Sequence, residues 1–188
     1  MTFSQMPFRG FTLIELLVTV SIIGMLSSIT LASTVQVREK AKIAKARSEL
    51  AQLRNAIGFL AADTGRWPNG CIVGEILYGA AGSENEVKLN DTVYGGLYGA
   101  SSPVVGRGGG CSWTNETIAN WRGPYLQVNP IDPWGSDYWF DNDYEALDDC
   151  PGATNLPGTL AVILSLGPNK SGDPVHLYDC DDIYLRLY

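Results

Sequence analysis

The chain has 188 residues, four cysteines, one histidine and a formal net charge of −7. Its charges are uneven: six basic and two acidic residues lie between Arg38 and Arg54, but eleven acidic residues and one base, Lys170, lie between Asp132 and Asp182. The acidic half repels phosphate, which argues against direct nucleic-acid binding. Because the histidine stands in no nucleophile–histidine–acid pattern, we do not expect an enzyme.

The first element is an apolar run of 27 residues, Phe11 to Val37, preceded by a short polar segment, residues 1–10. A helix of this length is sufficient to span a bilayer. No cleavage site of the secretory type follows the run, so we expect it to stay attached. Glu15 is its only charged residue. A lone carboxylate in a membrane costs roughly 2.5–3.5 kcal/mol on insertion scales, so Glu15 needs a physical reason.

A second pattern continues directly from the run and predicts an amphipathic helix. Its apolar residues are spaced by three and four positions: Ile43, Ala46, Leu50, Leu53, Ile57 and Leu60. No proline or glycine separates the two patterns, which predicts one helix from about Phe11 to Ala62. The stop signal is Asp63-Thr64-Gly65, with Pro68 close behind.

The rest of the chain has strand and loop character. Residues 71–122 are rich in glycine, which is typical of flexible connections. The strand candidates are residues 137–140, 159–165 and 182–188. The segment 159–165, "TLAVILS", is apolar on both faces and is expected in the interior of a sheet. A few strands packed on one helix predict an α+β fold.

The four cysteines, Cys71, Cys111, Cys150 and Cys180, have no metal-site spacing. An even number in a loop-rich region favours two disulfides and an oxidising compartment. Three pairings are possible. We favour Cys71–Cys111 and Cys150–Cys180, on sequential closure alone.

Several segments together resemble the family of type IV pilins and type II secretion pseudopilins, most of all its major pseudopilins. These segments are "GFTLIELLVTVSIIGMLSSI" at the N-terminus, "LRNAIGFLAADTGRWPNG" (53–70), "GPYLQVNPIDPWGSDYWF" (123–140), and "LSLGPNKSG" with "DDI" (164–172 and 181–183). The resemblance implies a type IV pilin-like fold, with a long N-terminal helix on a small antiparallel sheet and disulfide-stapled loops. It also implies a leader, residues 1–10, that a prepilin peptidase removes between Gly10 and Phe11, followed by N-methylation of Phe11.

The resemblance implies a role for Glu15 in assembly. We expect it to pair with the amino group of Phe11 on a neighbouring subunit, which would offset part of the cost of burying the charge and define the axial register. The alternative is an acid tolerated near a helix start because the helix dipole favours it there.

The resemblance also implies a Ca²⁺ site in the acidic C-terminal loop. The implied ligands are the side chains of Asn169, Asp181 and Asp182 and the carbonyl oxygens of Leu166 and Asp179. Calcium takes six to eight oxygen ligands. Two departures stand against it: Asn169 replaces the usual acid, and Cys180 lies inside the loop. A disulfide there is an alternative staple.

The implied function is that of a structural subunit of a pilus-like filament, either a type II secretion major pseudopilin or a type IV pilin. The alternative is a minor or tip pilin that binds a ligand or surface through the insertion 71–122. The implied partners are further copies of the chain, minor pilins, the prepilin peptidase and an inner-membrane assembly platform. The implied topology has residues 11–37 as a transmembrane and filament-core helix, the N-terminus inside, and residues 38–188 as a periplasmic or extracellular domain. The positive-inside rule favours the opposite orientation, because five bases follow the run at 38–47. The cysteines agree with export.

Overall fold

The chain adopts an α+β fold in which a long helix precedes an antiparallel sheet. The computed structural model describes residues 10–75, 86–99, 102–106, 111–144, 150, 159–171 and 180–187, with the backbone alone for 29–33. By its contacts the chain forms two compact units, Met1–Ala41 and Lys42–Tyr188. Their boundary lies close to the one predicted after residue 37.

Helix α1 spans Leu13–Thr64, 52 residues, as one uninterrupted element. The predicted helix is therefore confirmed, with its ends displaced by two residues. At the C-terminus, Gly65 adopts a positive φ of 68° and its N–H bonds to the carbonyl of Ala61 at 2.8 Å. The Thr64 hydroxyl also donates to the Leu60 carbonyl at 2.7 Å. These contacts satisfy carbonyls that the helix end leaves open.

The first unit contains the apolar part of α1. Its described apolar side chains are largely exposed, including those of Phe11, Leu13, Ile14, Leu16, Leu17, Val18, Ile22, Ile23 and Leu26. Across the part of the chain that the structure describes, no helix has both the length and the apolar character that a membrane crossing needs. The transmembrane role of residues 11–37 stays a prediction.

The second unit contains a four-stranded sheet with the order β1-β2-β3-β4, all neighbours antiparallel. The strands are β1 (Val87–Lys88), β2 (Tyr138–Tyr144), β3 (Leu160–Ser165) and β4 (Ile183–Arg186). The three predicted strands are confirmed, and "TLAVILS" lies between two neighbours as expected. Strand β2 is longer than predicted, because Asp141 and Asn142 are buried in it despite their low strand propensity.

The core forms where the predicted apolar stripe of α1 meets the sheet. Ala46, Leu50, Leu53, Ile57 and Leu60 are buried in one cluster with Tyr138 and Phe140 of β2 and Ile163 of β3. Residues alternate between the faces of a strand. Accordingly, Val162 and Leu164 belong to a second buried cluster, with Tyr144 and Leu160. This explains why β3 is apolar throughout.

The glycine-rich region 71–122 contributes to the core where the structure describes it. It supplies β1, a short helix α2 (Asn115–Ala119) and the buried side chains of Leu89, Leu97 and Trp113. Gly96 shows why glycine is needed: its φ is 65°, and a Cβ atom there would lie 2.8 Å from Pro103 and 3.2 Å from Trp113. Neither the strand nor the helix was predicted, since each is too short to produce a periodic pattern. Residues 107–110, in the run "GRGGG", lie outside the described residues.

Both predicted disulfides are present, Cys71–Cys111 and Cys150–Cys180. The first closes a segment of 40 residues that includes β1, and the second closes one of 30 residues that includes β3. Each bridge limits the conformations of the unfolded chain, which stabilises the folded state.

The turn at Asp132-Pro133-Trp134-Gly135 is organised by one buried carboxylate. Oδ1 of Asp132 accepts hydrogen bonds from the backbone N–H groups of Trp134 at 3.0 Å and Ser136 at 2.7 Å. Its Oδ2 accepts the hydroxyl of Ser165, at the end of β3, at 2.6 Å. Asp132 therefore ties the turn before β2 to the far end of β3.

Two tyrosines connect the segment 125–138 to helix α1. The hydroxyl of Tyr125 donates to Asp63 at 2.8 Å, and that of Tyr138 donates to Glu49 at 2.7 Å. Burial, together with the acceptor Asp63, raises the pKa of Tyr125 to about 12. Burial and the bond to Glu49 likewise raise the pKa of Tyr138.

Alkaline pH should therefore destabilise this domain. The fold favours the neutral phenol of Tyr125. The stabilisation of the folded state that results is complete below pH 10 and is lost as the pH rises through about 12. We expect Tyr125→Phe to unfold with a shallower pH dependence than wild type across this window. Denaturant unfolding at stepped pH measures it. Tyr184→Phe, which removes a hydroxyl at a partly exposed ring, is the control. Equal slopes for wild type and Tyr125→Phe would contradict the assignment.

Removing the carboxylate of Asp132 should be strongly destabilising. In Asp132→Ala, the donors at Trp134, Ser136 and Ser165 lose their acceptor, at about 1–3 kcal/mol for each donor that stays buried. The matched control is Asp137→Ala, which removes a carboxylate that pairs with Lys88 and accepts a hydrogen bond from Asn90 at 2.8 Å. We expect a smaller loss there, because both contacts are partly exposed to solvent. Urea unfolding compares the two variants, and similar free energies of unfolding would show that the turn does not depend on Asp132.

Candidate functional site

The start of α1 is a reciprocal cap that involves Glu15. The backbone N–H and the hydroxyl of Thr12 both donate to Oε2 of Glu15, at 3.0 and 2.8 Å. The N–H of Glu15 in turn bonds to the Thr12 hydroxyl at 3.3 Å. This arrangement is a capping box, in which the N-cap residue and the residue three positions later satisfy each other's backbone N–H groups. Glu15 therefore has a local role in the isolated chain.

The sequence carries a local signal for this cap. A Ser or Thr followed three residues later by Glu, just before an apolar segment, is the signature of a capping box. "TLIE" (12–15) fits it. The cap agrees with the alternative that Glu15 is favoured by a helix start, and it is also compatible with assembly.

One carboxylate oxygen remains for a further partner. Both bonds from Thr12 go to Oε2, and among the described residues Oε1 accepts no hydrogen bond. The side chain of Phe11 is 81% exposed. Gly10 has open space where a Cβ atom would be. The predicted cleavage bond and the predicted pairing group thus lie at one accessible place at the start of α1. Residues 1–9 of the predicted leader lie outside the described residues.

The C-terminal loop brings together two of the predicted calcium ligands directly. The backbone N–H of Asn169 donates to Oδ2 of Asp181 at 3.0 Å, and its side-chain amide donates to Oδ1 at 2.7 Å. Leu166 directly follows β3, three residues before Asn169, and Asp182 directly precedes β4. Asp179, the remaining predicted ligand, lies outside the described residues.

The atoms of this loop are already committed to one another. Oδ1 of Asn169, the atom that a cation would need, accepts the N–H of Ser171 at 2.8 Å. The amide nitrogen of Asn169, a donor that cannot bind a metal, points at the carboxylate of Asp181. Within the described residues no group of three His, Cys, Asp or Glu side chains is placed to share a metal. In this arrangement the amide nitrogen of Asn169, and not its Oδ1, faces Asp181.

Comparison with known proteins agrees with the helix start and the fold. The prokaryotic N-terminal methylation motif matches residues 6–31. The chain is 36% identical over 155 residues to the type II secretion system core protein G of Pectobacterium carotovorum subsp. carotovorum, and the alignment covers 80% of each chain. It is 28% identical over 130 residues to the core protein G of Klebsiella pneumoniae, covering 69% of this chain and 71% of that one.

A pilin is among the similar proteins as well. The chain is 28% identical over 136 residues to the type IV major fimbrial protein FimA of Dichelobacter nodosus, which covers 60% of this chain and 84% of that one. No solved structure matches the chain. These similarities agree with the methylation motif at the helix start and with the helix-on-sheet fold. The chain therefore belongs to the family of type IV pilins and type II secretion pseudopilins.

Proposed function

We propose that this protein is the major pseudopilin of a type II secretion system, or a closely related type IV pilin, and that it assembles into a filament through the first part of α1. The observation that carries the proposal is Glu15: the single charge in an exposed apolar helix, with one carboxylate oxygen already bound to Thr12 and the other available. After cleavage at Gly10, the Phe11 ammonium of a neighbouring subunit binds that oxygen.

Physical chemistry favours this pairing over an unpaired acid. When the apolar segments of several copies pack together, Glu15 loses its contact with water, and an unpaired carboxylate in such surroundings is costly. An ammonium group at hydrogen-bond distance offsets part of this cost. The partner must stand at the height of Glu15, so the pair also selects one axial offset between subunits. The capping bond from Thr12 holds the carboxylate at the helix start, where it meets the neighbour's terminus.

Part of the described insertion is committed to the core, which supports a shaft subunit, although Val93, Val104 and Val105 in the same region are exposed. Leu89, Leu97 and Trp113 are buried in the core, and Trp113 also donates its indole N–H to the carbonyl of Tyr94 at 2.7 Å. Residues committed to the core are not available to bind a ligand. A tip subunit with a binding role for residues 71–122 is the second candidate.

The precursor is anchored in the inner membrane by residues 11–37 with its N-terminus inside, and the domain from residue 38 lies in the periplasm or on the cell surface. Its partners are further copies of the chain, minor pseudopilins, a prepilin peptidase and an inner-membrane assembly platform. The methylation motif at residues 6–31 and the two disulfides support this placement.

Processing is the first test. Filaments purified from the native host should contain a chain that begins at Phe11 and carries one additional methyl group, which intact-mass measurement detects. Gly10→Val should block processing, because we expect the peptidase to accept only a residue without a side chain before the cleaved bond. Met1 retained in assembled filaments would refute the proposed cleavage.

Assembly is the second test. Glu15→Ala removes both the pair and the cap, whereas Thr12→Ala removes the side chain that caps the helix and keeps the carboxylate. The core lies beyond Ala46, so neither change should alter the unfolding of the domain. We expect Glu15→Ala to abolish filaments and to enter wild-type filaments poorly, and Thr12→Ala to reduce assembly less. Filament yield by electron microscopy measures both. Normal filaments from Glu15→Ala alone would exclude the pairing, and an equal loss in both variants would assign the effect to the cap.

A further inference from the structure

The C-terminal loop is closed by a pair of side chains that needs no ion. Asn169 places two N–H donors, one from its backbone and one from its side-chain amide, on the two different oxygens of Asp181, at 3.0 and 2.7 Å. A carboxylate bound by two donors at once is held more strongly and in a more defined orientation than by one. The two residues are twelve positions apart, so the pair joins the end of β3 to the start of β4.

The backbone around this pair is shaped to bring the two segments into contact. Gly167 has a φ of 65°, and a Cβ atom there would overlap the carbonyl oxygen of Asp181. Its N–H bonds to the hydroxyl of Ser165 at 3.2 Å, and that hydroxyl bonds to Asp132. Lys170 also has a positive φ, 63°, which is uncommon for a residue with a side chain. The turn thus aims Asn169 at Asp181 and continues into the buried hydrogen bonds of Asp132.

An amide at position 169 is the feature that makes direct closure possible. Had the residue been an aspartate, two carboxylates would face each other across the loop and repel, and a cation would be needed to join them. The amide of Asn169 supplies the positive end of an N–H dipole in place of that cation. We propose that Asn169 and Asp181 form a metal-independent clasp, in which the Asn169 amide occupies the position that calcium would otherwise hold.

The clasp works together with the second disulfide. Cys180 is the residue before Asp181 and forms a disulfide with Cys150. The segment before β4 is therefore held by a covalent bond at Cys180 and by the hydrogen bonds from Asn169 at Asp181. Two independent links on the same short segment leave little for an ion to add. The end of β3 therefore stays joined to the start of β4 whether or not calcium is present.

The experiment measures the melting temperature of the full chain in detergent micelles, with its disulfides intact, in chelator and in millimolar CaCl₂. Wild type should melt at the same temperature in both, and calorimetric titration with CaCl₂ should give no binding heat. Asn169→Ala should melt about 2–4 °C lower in both conditions, the shift expected in a chain of this size for the loss of about 1 kcal/mol.

The sharpest variant is Asn169→Asp, which creates the carboxylate pair. It should melt below wild type in chelator and regain stability in CaCl₂, and it should acquire calorimetric binding of calcium that wild type lacks. Asn129→Asp makes the same exchange at an exposed site and should show no calcium response.

Three results would overturn the clasp. A melting temperature of wild type that falls in chelator would show that calcium already joins the loop. Binding heat for wild type at micromolar to millimolar calcium would lead to the same conclusion. Asn169→Ala melting no lower than Asn129→Ala would show that the bonds to Asp181 do not hold the loop. The wild-type titration remains decisive even if a variant fails to fold.

Discussion

Burial of one stripe of α1 is the constraint on which the rest of the domain depends. Ala46, Leu50, Leu53, Ile57 and Leu60 repeat at helical spacing, and each large aliphatic side chain contributes about 1.5–3 kcal/mol when it is fully buried. An exposed ion pair such as Lys88–Asp137 contributes about 0–1 kcal/mol. The sheet, the described part of the glycine-rich insertion and the buried tryptophans Trp67, Trp113 and Trp134 are therefore arranged to cover that stripe.

Hydrophobic burial alone does not specify one packing of the sheet on the helix. Polar contacts at the ends of the helix and strands provide this specificity. Tyr125 and Tyr138 bond to carboxylates that lie about four helix turns apart on α1, Asp63 and Glu49. Asp132 ties the turn before β2 to the end of β3. Each contact joins buried or partly buried polar groups across different elements, so a shifted packing loses several of these hydrogen bonds at once. The clasp at Asn169 extends the same principle to the last loop.

The first part of α1 follows a different logic. Its apolar side chains are exposed in the single chain, and its one carboxylate is held at the helix start by Thr12. A surface of this kind is stable only when a membrane or further copies of the chain cover it. The proposed function in assembly follows from this unsatisfied surface more directly than from any feature of the folded domain.

The sequence by itself determined the long helix, its stop at Asp63-Thr64-Gly65, the core stripe, three of the four strands and the family, because each depends on local periodicity or on a contiguous motif. Sequence periodicity cannot reveal elements as short as the strand Val87–Lys88 or the helix Asn115–Ala119. It also cannot reveal that Asp141 and Asn142 are buried. These features result from contacts with residues that are distant in the sequence. The cysteine pairing had three solutions on sequence alone, and the fold selected one by bringing Cys71 to Cys111 and Cys150 to Cys180. The sequence also predicted Asn169 as a calcium ligand by its position in a motif. Only the tertiary structure decided which atom of its amide points at Asp181, because that orientation depends on the turn at Gly167 and on the bond from Ser171.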